Sequence, residues 1–216
     1  MGLIRLLTGG KKLLGRTSMS QFSCPICQSD STISFLNREQ VPVHQNLVIN
    51  KQDAAIHTTR GNLYLRVCQE CGFIFNQAFE PTKLSYEKNY DNSQTYSLSF
   101  SNYLKTLIDR LVNEKNVRHC QIVEVGCGKG WFLRKLVEVE EWGNVGYGFD
   151  PSYVGSDKDL NNRLQFEKRY YNSDCSDVPA DVVICRHVIE HVPNPLNLLL
   201  SINQALSKST QARVFF

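Results

Sequence analysis

The chain has no apolar run approaching the roughly 20 residues that a membrane-spanning helix needs, which excludes such a helix within these 216 residues. It also lacks a strong charge of either sign. The 24 Lys and Arg stand against 21 Asp and Glu, for a net +3, and the basic residues are scattered rather than gathered into a stripe. That distribution does not track a phosphate backbone, which argues against nucleic acid as the partner. The opening residues contain no unbroken apolar segment, because Leu6-Leu7 and Leu13-Leu14 are separated by Gly-Gly-Lys-Lys. A secretory signal is therefore excluded, and residues 1–20 are expected to form a disordered basic tail. No internal repeat or low-complexity tract is visible. What remains is an ordinary soluble composition, 42% hydrophobic and 21% charged, with length for one to two domains.

The eight cysteines are unevenly placed: Cys24-Pro25-Ile26-Cys27 and Cys68-Gln69-Glu70-Cys71 form two Cys-x-x-Cys pairs, and the rest are isolated. Two intervening residues let both thiolates of a pair reach one tetrahedral ion from a tight turn. The two pairs thus make a closed site of four thiolates for structural zinc, with no open position for catalysis. The pattern also points to a reducing compartment, so a cytoplasmic location is expected. The 40 residues between Cys27 and Cys68 exceed ordinary zinc-finger spacing and are read as an inserted hairpin. A redox role is disfavoured, since a redox motif needs one pair at a helix start and these pairs stand among strands.

Between residues 22 and 80, segments 32–36, 47–50, 63–67 and 73–76 are rich in β-branched and aromatic residues and alternate with polar turns. Apolar positions at Leu98, Tyr103, Leu104, Leu107, Ile108, Leu111 and Val112 recur at helical spacing. From Gln121 onward the pattern becomes strand (122–125), glycine loop (126–130), helix (131–138), strand (145–149), then strands near 164–169 and 181–185, a helix over 195–207 and a strand at 212–216. Such alternation argues a parallel sheet covered by helices, a Rossmann-like α/β domain of about five strands. The expected organisation is a zinc-binding β module over 21–80, a helical connector over 81–116 and the α/β domain over 117–216.

Two features carry chemistry in that domain. Glu124-Val125-Gly126-Cys127-Gly128-Lys129-Gly130 ends a strand and opens a helix, with glycines that permit a sharp turn and close ligand approach. The spacing differs from the dinucleotide Gly-x-Gly-x-x-Gly, and no Lys-Ser or Lys-Thr follows for a phosphate loop, which disfavours NAD and ATP. Asp150, ending the next strand, is placed to accept hydrogen bonds from a ribose diol. The second feature is Arg186-His187-Val188-Ile189-Glu190-His191-Val192, at the carboxyl edge of the sheet where open α/β sheets bind ligands. His191 or Glu190 is a candidate general base. The plainer reading is that Glu-His-Val caps the next helix and packs under the ligand.

On the loop from Glu124, with Gly126, Cys127 and Gly128, and on the second strand-end acid, the chain resembles the class I S-adenosylmethionine methyltransferases. That resemblance implies S-adenosylmethionine as cofactor, with Asp150 on its ribose and Glu124 near its methionyl end. The two cysteine pairs, Tyr86-Glu87-Lys88-Asn89-Tyr90, Ser93-Gln94-Thr95-Tyr96 and His187-Val188-Ile189-Glu190-His191-Val192 extend the resemblance, from about Cys24 onward, to the sugar C-methyltransferases. The family implies a nucleotide-linked keto-deoxysugar as acceptor, with His191 and Glu190 as base and Tyr90 helping to seat the sugar. One departure is that the chain stops at Phe216, where a fifth strand begins, so the domain is expected to be C-terminally incomplete with an exposed sheet edge. The rival readings are an RNA methyltransferase whose zinc module grips its substrate, and a non-catalytic remnant. The sequence assigns no oligomeric state.

Overall fold

The computed structural model describes residues 23–44, 49–83 and 97–216. These divide into two compact units: one runs up to Val43 and includes Thr59–Lys83, the other comprises His44–Thr58 and the residues after Lys83. The expected basic tail and Tyr90 with its neighbours lie outside the described residues.

The first unit is a three-stranded antiparallel sheet in the order β1-β2-β3, formed by β1 (Thr32–Pro42), β2 (Arg60–Cys68) and β3 (Ile74–Asn76). The inserted segment between the cysteine pairs is thus a hairpin, as its alternation predicts. Its β1 arm carries register shifts between Ser34 and Leu36 and between Arg38 and Val41. The strand expected at 47–50 is not found in its described part, where residues 49 and 50 are irregular. A short helix, α1 (Gln52–Ile56), with no buried residue follows there. The sheet is thinly covered: Ile33, Phe35 and Ile74 are exposed, and the buried hydrophobic side chains of this unit, among the described residues, are Cys24 and Cys68.

The second unit, to which α1 belongs, has as its first described element after Lys83 the helix α2 (Leu98–Asp109), whose N-terminus is capped by Ser97 Oγ accepting from Phe100 N–H at 3.3 Å. A π turn, Arg110–Glu114, continues it and buries Leu111 and Val112. Then follow β4 (Gln121–Val125), α3 (Trp131–Val137), β5 (Val145–Phe149), β6 (Lys158–Asp159), β7 (Leu164–Glu167), β8 (Val182–Cys185), α4 (Pro195–Ala205) and β9 (Arg213–Phe215). The sheet has six strands in the order β6-β7-β5-β4-β8-β9. All neighbours are parallel except β6, which pairs antiparallel with β7. This is the Rossmann-like architecture expected, with one strand more than the five read from the sequence. The extra strand is two residues long and polar, so no hydrophobic period announces it. An Arg134–Asp159 ion pair ties it to α3.

Side-chain alternation divides the core between the two faces. Ile122, Val182 and Ile184 point with Leu133, Leu136 and Val137 of α3 and Leu104 and Ile108 of α2 into one cluster. Val123, Val125, Val183 and Cys185 point with Ile202 and Ala205 of α4 into the other. Every residue of β8 is buried, which is what a strand covered on both faces requires. Buried Asn144 ties the start of β5 to its surroundings, accepting from Cys120 N–H at 3.0 Å and donating to the carbonyls of Val117 and Leu136. Among the described residues no helix is long and apolar enough to cross a membrane.

Candidate functional site

The chain leaves β4 on one side to form β5 and returns on its other side as β8. The order of the sheet therefore reverses at β4, and the crevice outside the carboxyl ends of strands at such a reversal is where open α/β folds hold ligands. Both motifs singled out in the sequence arrive there.

After Val125 the backbone turns through Gly126 at φ +70° and Gly128 at φ +55°, values that only glycine adopts without strain. Gly126 and Cys127 N–H both reach Phe149 O, at 2.8 and 3.2 Å, which fastens the loop to the end of β5. Asp150 completes the attachment: its Oδ2 accepts from Gly128 N–H at 2.8 Å, and its Oδ1 from Ser152 N–H at 2.7 Å and Ser152 Oγ at 2.6 Å. A carboxylate has about four acceptor positions, so capacity for a further donor remains. A Cβ built on Gly128 would meet nothing within 4 Å, so the loop presents bare backbone to open space at that point. On Gly126 a Cβ would fall 2.3 Å from Val188 Cγ2, which shows how tightly the segment after β8 lies against the loop.

Glu124 lies on the α3 face of the sheet, two residues on from Ile122, and is 2% exposed. Gly130, the residue before α3, has no side chain with which to cap the helix. Glu124 takes over that task, its Oε2 accepting from Leu133 N–H at 3.1 Å. Its Oε1 accepts from Arg186 Nη2 at 3.3 Å. Burial pushes the Glu124 carboxyl up to about 7, against the opposing pull of Arg186. The Cys127 thiol is also buried, and burial drives its pKa upward, so it acts as a packed side chain beside Gly148 and not as a thiolate.

Sequence reasoning quoted Arg186 but gave it no role. Its guanidinium carbon stands 3.6 Å over the Phe132 ring, and its Nε and Nη1 are buried with no hydrogen-bond partner. The signal available was an arginine directly after a wholly apolar strand, in a domain whose first parallel strand carries a glutamate as its penultimate residue.

Beyond Arg186, His187 adopts φ +53°, an uncommon conformation for a residue with a Cβ, and so turns the chain back over the loop. Its Nδ1 lies 3.5 Å from Glu190 Oε1, both side chains about half exposed, and its ring faces Phe100 at 6.3 Å between centroids. Residues Ile189–His191 form a single 3-10 turn, with His191 N–H on Val188 O at 2.9 Å and the His191 side chain half-buried. The helix after it is capped by Asn194 Oδ1, which accepts from Asn197 N–H at 3.0 Å, with Pro195 in the first turn. Glu-His-Val therefore does not cap α4, which corrects the capping part of the plainer reading.

In the first unit the two cysteine pairs close on each other. Each pair is a knuckle of the same build: Gln28 N–H returns to Cys24 O and Gly72 N–H to Cys68 O, both at 2.9 Å, with Gln28 at φ +62° and Gly72 at φ +74°. The four Sγ atoms lie within 4.8 Å of one another, the Cys24–Cys71 and Cys27–Cys68 pairs at 3.6 and 3.5 Å. A tetrahedral zinc with bonds of about 2.3 Å sets its sulfurs about 3.8 Å apart, so the cluster has the dimensions of that ion. Backbone hydrogen bonds from Cys71 and Glu70 bring the Cys68 thiol down to about 7, whereas burial pushes Cys71 up to about 12.

The order reversal, the glycine loop and the strand-end acid belong to a doubly wound α/β domain with a crevice at the carboxyl ends of its strands. A family described as "Methyltransferase domain" matches residues 97–216, more than half the chain, and the chain belongs to that family. Among solved structures it is similar to the magnesium protoporphyrin IX methyltransferase ChlM of Synechocystis PCC 6803 with bound SAM, at 21% identity over 51% of this chain and 54% of that one, TM-score 0.38. It is also similar to the same enzyme with bound SAH, at 19% identity over 43% and 44%, TM-score 0.32. The chain thus spans about half the length of these solved relatives. The comparison with curated proteins finds no match.

Proposed function

We propose that this chain carries out S-adenosylmethionine-dependent methyl transfer to a small molecule, by C-methylation of a nucleotide-linked keto-deoxysugar. The observation that carries the cofactor reading is the glycine loop at the order reversal of a methyltransferase-family domain, with open space over Gly128 and Asp150 beside it. The residues present fit the cofactor: Asp150 retains capacity to accept from ribose hydroxyls, the loop offers bare backbone, and Arg186 has unmet buried donors. When bound, the cofactor supplies a methyl group already activated on a sulfonium, so the protein has to orient the acceptor and remove its proton.

That second task falls to the turn after β8. His191 takes the proton from the carbon beside the ketone, and Glu190, held 3.5 Å from His187, steadies the arrangement and shares the base role. Tyr90 has the proposed role of seating the sugar. The four cysteines hold a structural zinc, with every ligand position filled by thiolate and hence no part in the chemistry.

The sugar assignment is tested by incubating the chain with methyl-labelled S-adenosylmethionine and a nucleotide-linked keto-deoxysugar. The expected result is label on carbon, reduced about 10²- to 10⁴-fold in His191→Ala, the range of a lost general base. Transfer that survives this substitution removes His191 from the mechanism. Label appearing in RNA instead favours a nucleic-acid acceptor, and no transfer by a chain that binds the cofactor favours a non-catalytic role.

A further inference from the structure

We infer that Tyr103, Phe100 and His187 form a stacking platform for the methyl acceptor, and that the part it receives is the acceptor's nucleobase. This rests on the nucleotide-linked reading above and assigns a part of the acceptor that His191 and Glu190 leave unheld.

The argument starts on α2. Phe100 and Tyr103 stand three residues apart, so the helix brings them to one face. Their rings lie 6.1 Å apart between centroids, at an interplanar angle of 38°. Phe100 also meets the His187 ring, at 6.3 Å and 44°. The three rings thus form a continuous row, with spacings in the range of attractive aromatic pairs. The row is fixed at its middle and open at its ends. Phe100 packs against the core cluster beneath α2, whereas Tyr103 is 52% exposed and the His187 side chain 53%. His187 keeps its place in the row at φ +53°, a conformation unfavourable for a residue with a Cβ and one that folds retain chiefly at functional sites.

Position indicates what lies on the rings. His187 follows β8 at the carboxyl edge of the sheet, and its Nδ1 is 3.5 Å from Glu190 Oε1. One end of the row therefore abuts the groups proposed to act on the acceptor, and Phe100 and Tyr103 extend it along α2 in steps of about 6 Å. An acceptor whose sugar meets His191 and Glu190 has its remaining length to place, and the rings continue from that point. In a nucleotide-linked sugar a ribose and two phosphates separate the sugar from the base, and the base is the molecule's planar ring. Every base has a π face, so stacking on aromatic side chains holds it whatever its hydrogen-bonding edge. A sugar without a nucleotide has nothing to reach Tyr103.

Two measurements on the 216-residue chain test this. Calorimetric titration with thymidine diphosphate and with uridine diphosphate, in the presence of S-adenosylhomocysteine, reads base binding without turnover. Steady-state transfer to a nucleotide-linked keto-deoxysugar reads it in KM. The wild-type chain is expected to bind both nucleotides. Tyr103→Ala is expected to weaken both by about 5- to 100-fold and to raise KM by a similar factor, the range of one lost base–aromatic stack. Tyr103→Phe keeps the ring and is expected to stay within about 3-fold of wild type. Tyr103 is half exposed, so its truncation spares the core, and S-adenosylhomocysteine affinity within about 2-fold of wild type shows an intact domain. A wild-type chain that binds neither nucleotide, a Tyr103→Ala chain that binds both as wild type does, or a Tyr103→Phe chain as weak as Tyr103→Ala overturns the platform. Sugar transfer that persists in any of these cases leaves the C-methylation reading standing. Nucleotide binding that depends on the Tyr103 ring, in a chain that transfers no methyl group to the nucleotide-linked sugar, upholds the platform and overturns that reading.

Discussion

Zinc removal by a strong chelator, or Cys68→Ser, is expected to unfold the β1–β3 sheet. In an ordinary small domain the loss of one surface loop is absorbed by an apolar core, but this unit has almost none to fall back on. Its buried hydrophobic side chains among the described residues are two of the proposed ligands, Cys24 and Cys68, while Ile33, Phe35 and Ile74 stand exposed. Units with so little core draw their folding energy from metal, and a structural zinc contributes roughly 10–16 kcal/mol at pH 7, far more than the sheet supplies. The expected result is one zinc per chain by elemental analysis, lost with chelator in step with the far-ultraviolet β signal. In the Cys68→Ser chain the expected result is a metal content near zero. A metal-free chain whose β signal and melting curve match the untreated protein contradicts the assignment.

The second large effect concerns the loop. Gly126→Ala introduces two separate penalties at one atom. The left-handed backbone at φ +70° costs a residue with a Cβ about 1–2 kcal/mol. The new methyl also falls 2.3 Å from Val188 Cγ2, and overpacking of that kind costs about 1–3 kcal/mol. Denaturant unfolding is expected to show a combined loss of about 2–5 kcal/mol. The penalties can be separated, because Gly126→Ala with Val188→Ala relieves the collision and leaves the backbone strain. The double variant is expected to recover part of the loss relative to the sum of the single ones. Strict additivity means that the segment after β8 does not press on the loop as described, and the placement of Glu190 and His191 loses its support.

The parts of this molecule legible in sequence are those whose signal is local. Strand β5 appears at the residues read for it, because Val145, Tyr147 and Phe149 alternate with glycines and a polar turn follows. Strands β4, β7 and β8 and helices α2, α3 and α4 fall within a few residues of their expected bounds for the same reason. The hairpin between the cysteine pairs was visible because chelating knuckles need a turn and the intervening stretch alternates. What escaped depends on partners distant in the chain. The two polar residues of β6 become a strand through pairing with β7. Arg186 acquires a role only when β8 is laid beside β4, 62 residues away. Asn194 and Pro195, in contrast, carry a local helix-start signal, an amide cap followed by proline, which Glu-His-Val lacks.

The site was legible as chemistry more than as contacts. Glu124 and Asp150 were identified as strand-end acids, and both stand at the reversal of strand order. The structure adds that each also holds the loop together, Glu124 through Leu133 N–H and Asp150 through Gly128 N–H. Period-two alternation puts Glu124 on the same face as Ile122, under the helix that opens at Trp131, a consequence that sequence reasoning did not draw. Its partnership with that helix was therefore derivable, whereas its partnership with Arg186 was not.

The account as a whole depends on a nucleoside sulfonium site in the loop after β4, and equilibrium titration with S-adenosylhomocysteine, which cannot react, tests it most directly. The account predicts one site per chain, with affinity reduced at least about 10-fold in Asp150→Asn, which keeps an acceptor for Gly128 N–H but loses the charge that draws the ribose hydroxyls. A folded wild-type chain that gives no binding heat, or binds with Asp150→Asn indistinguishable from it, contradicts the account.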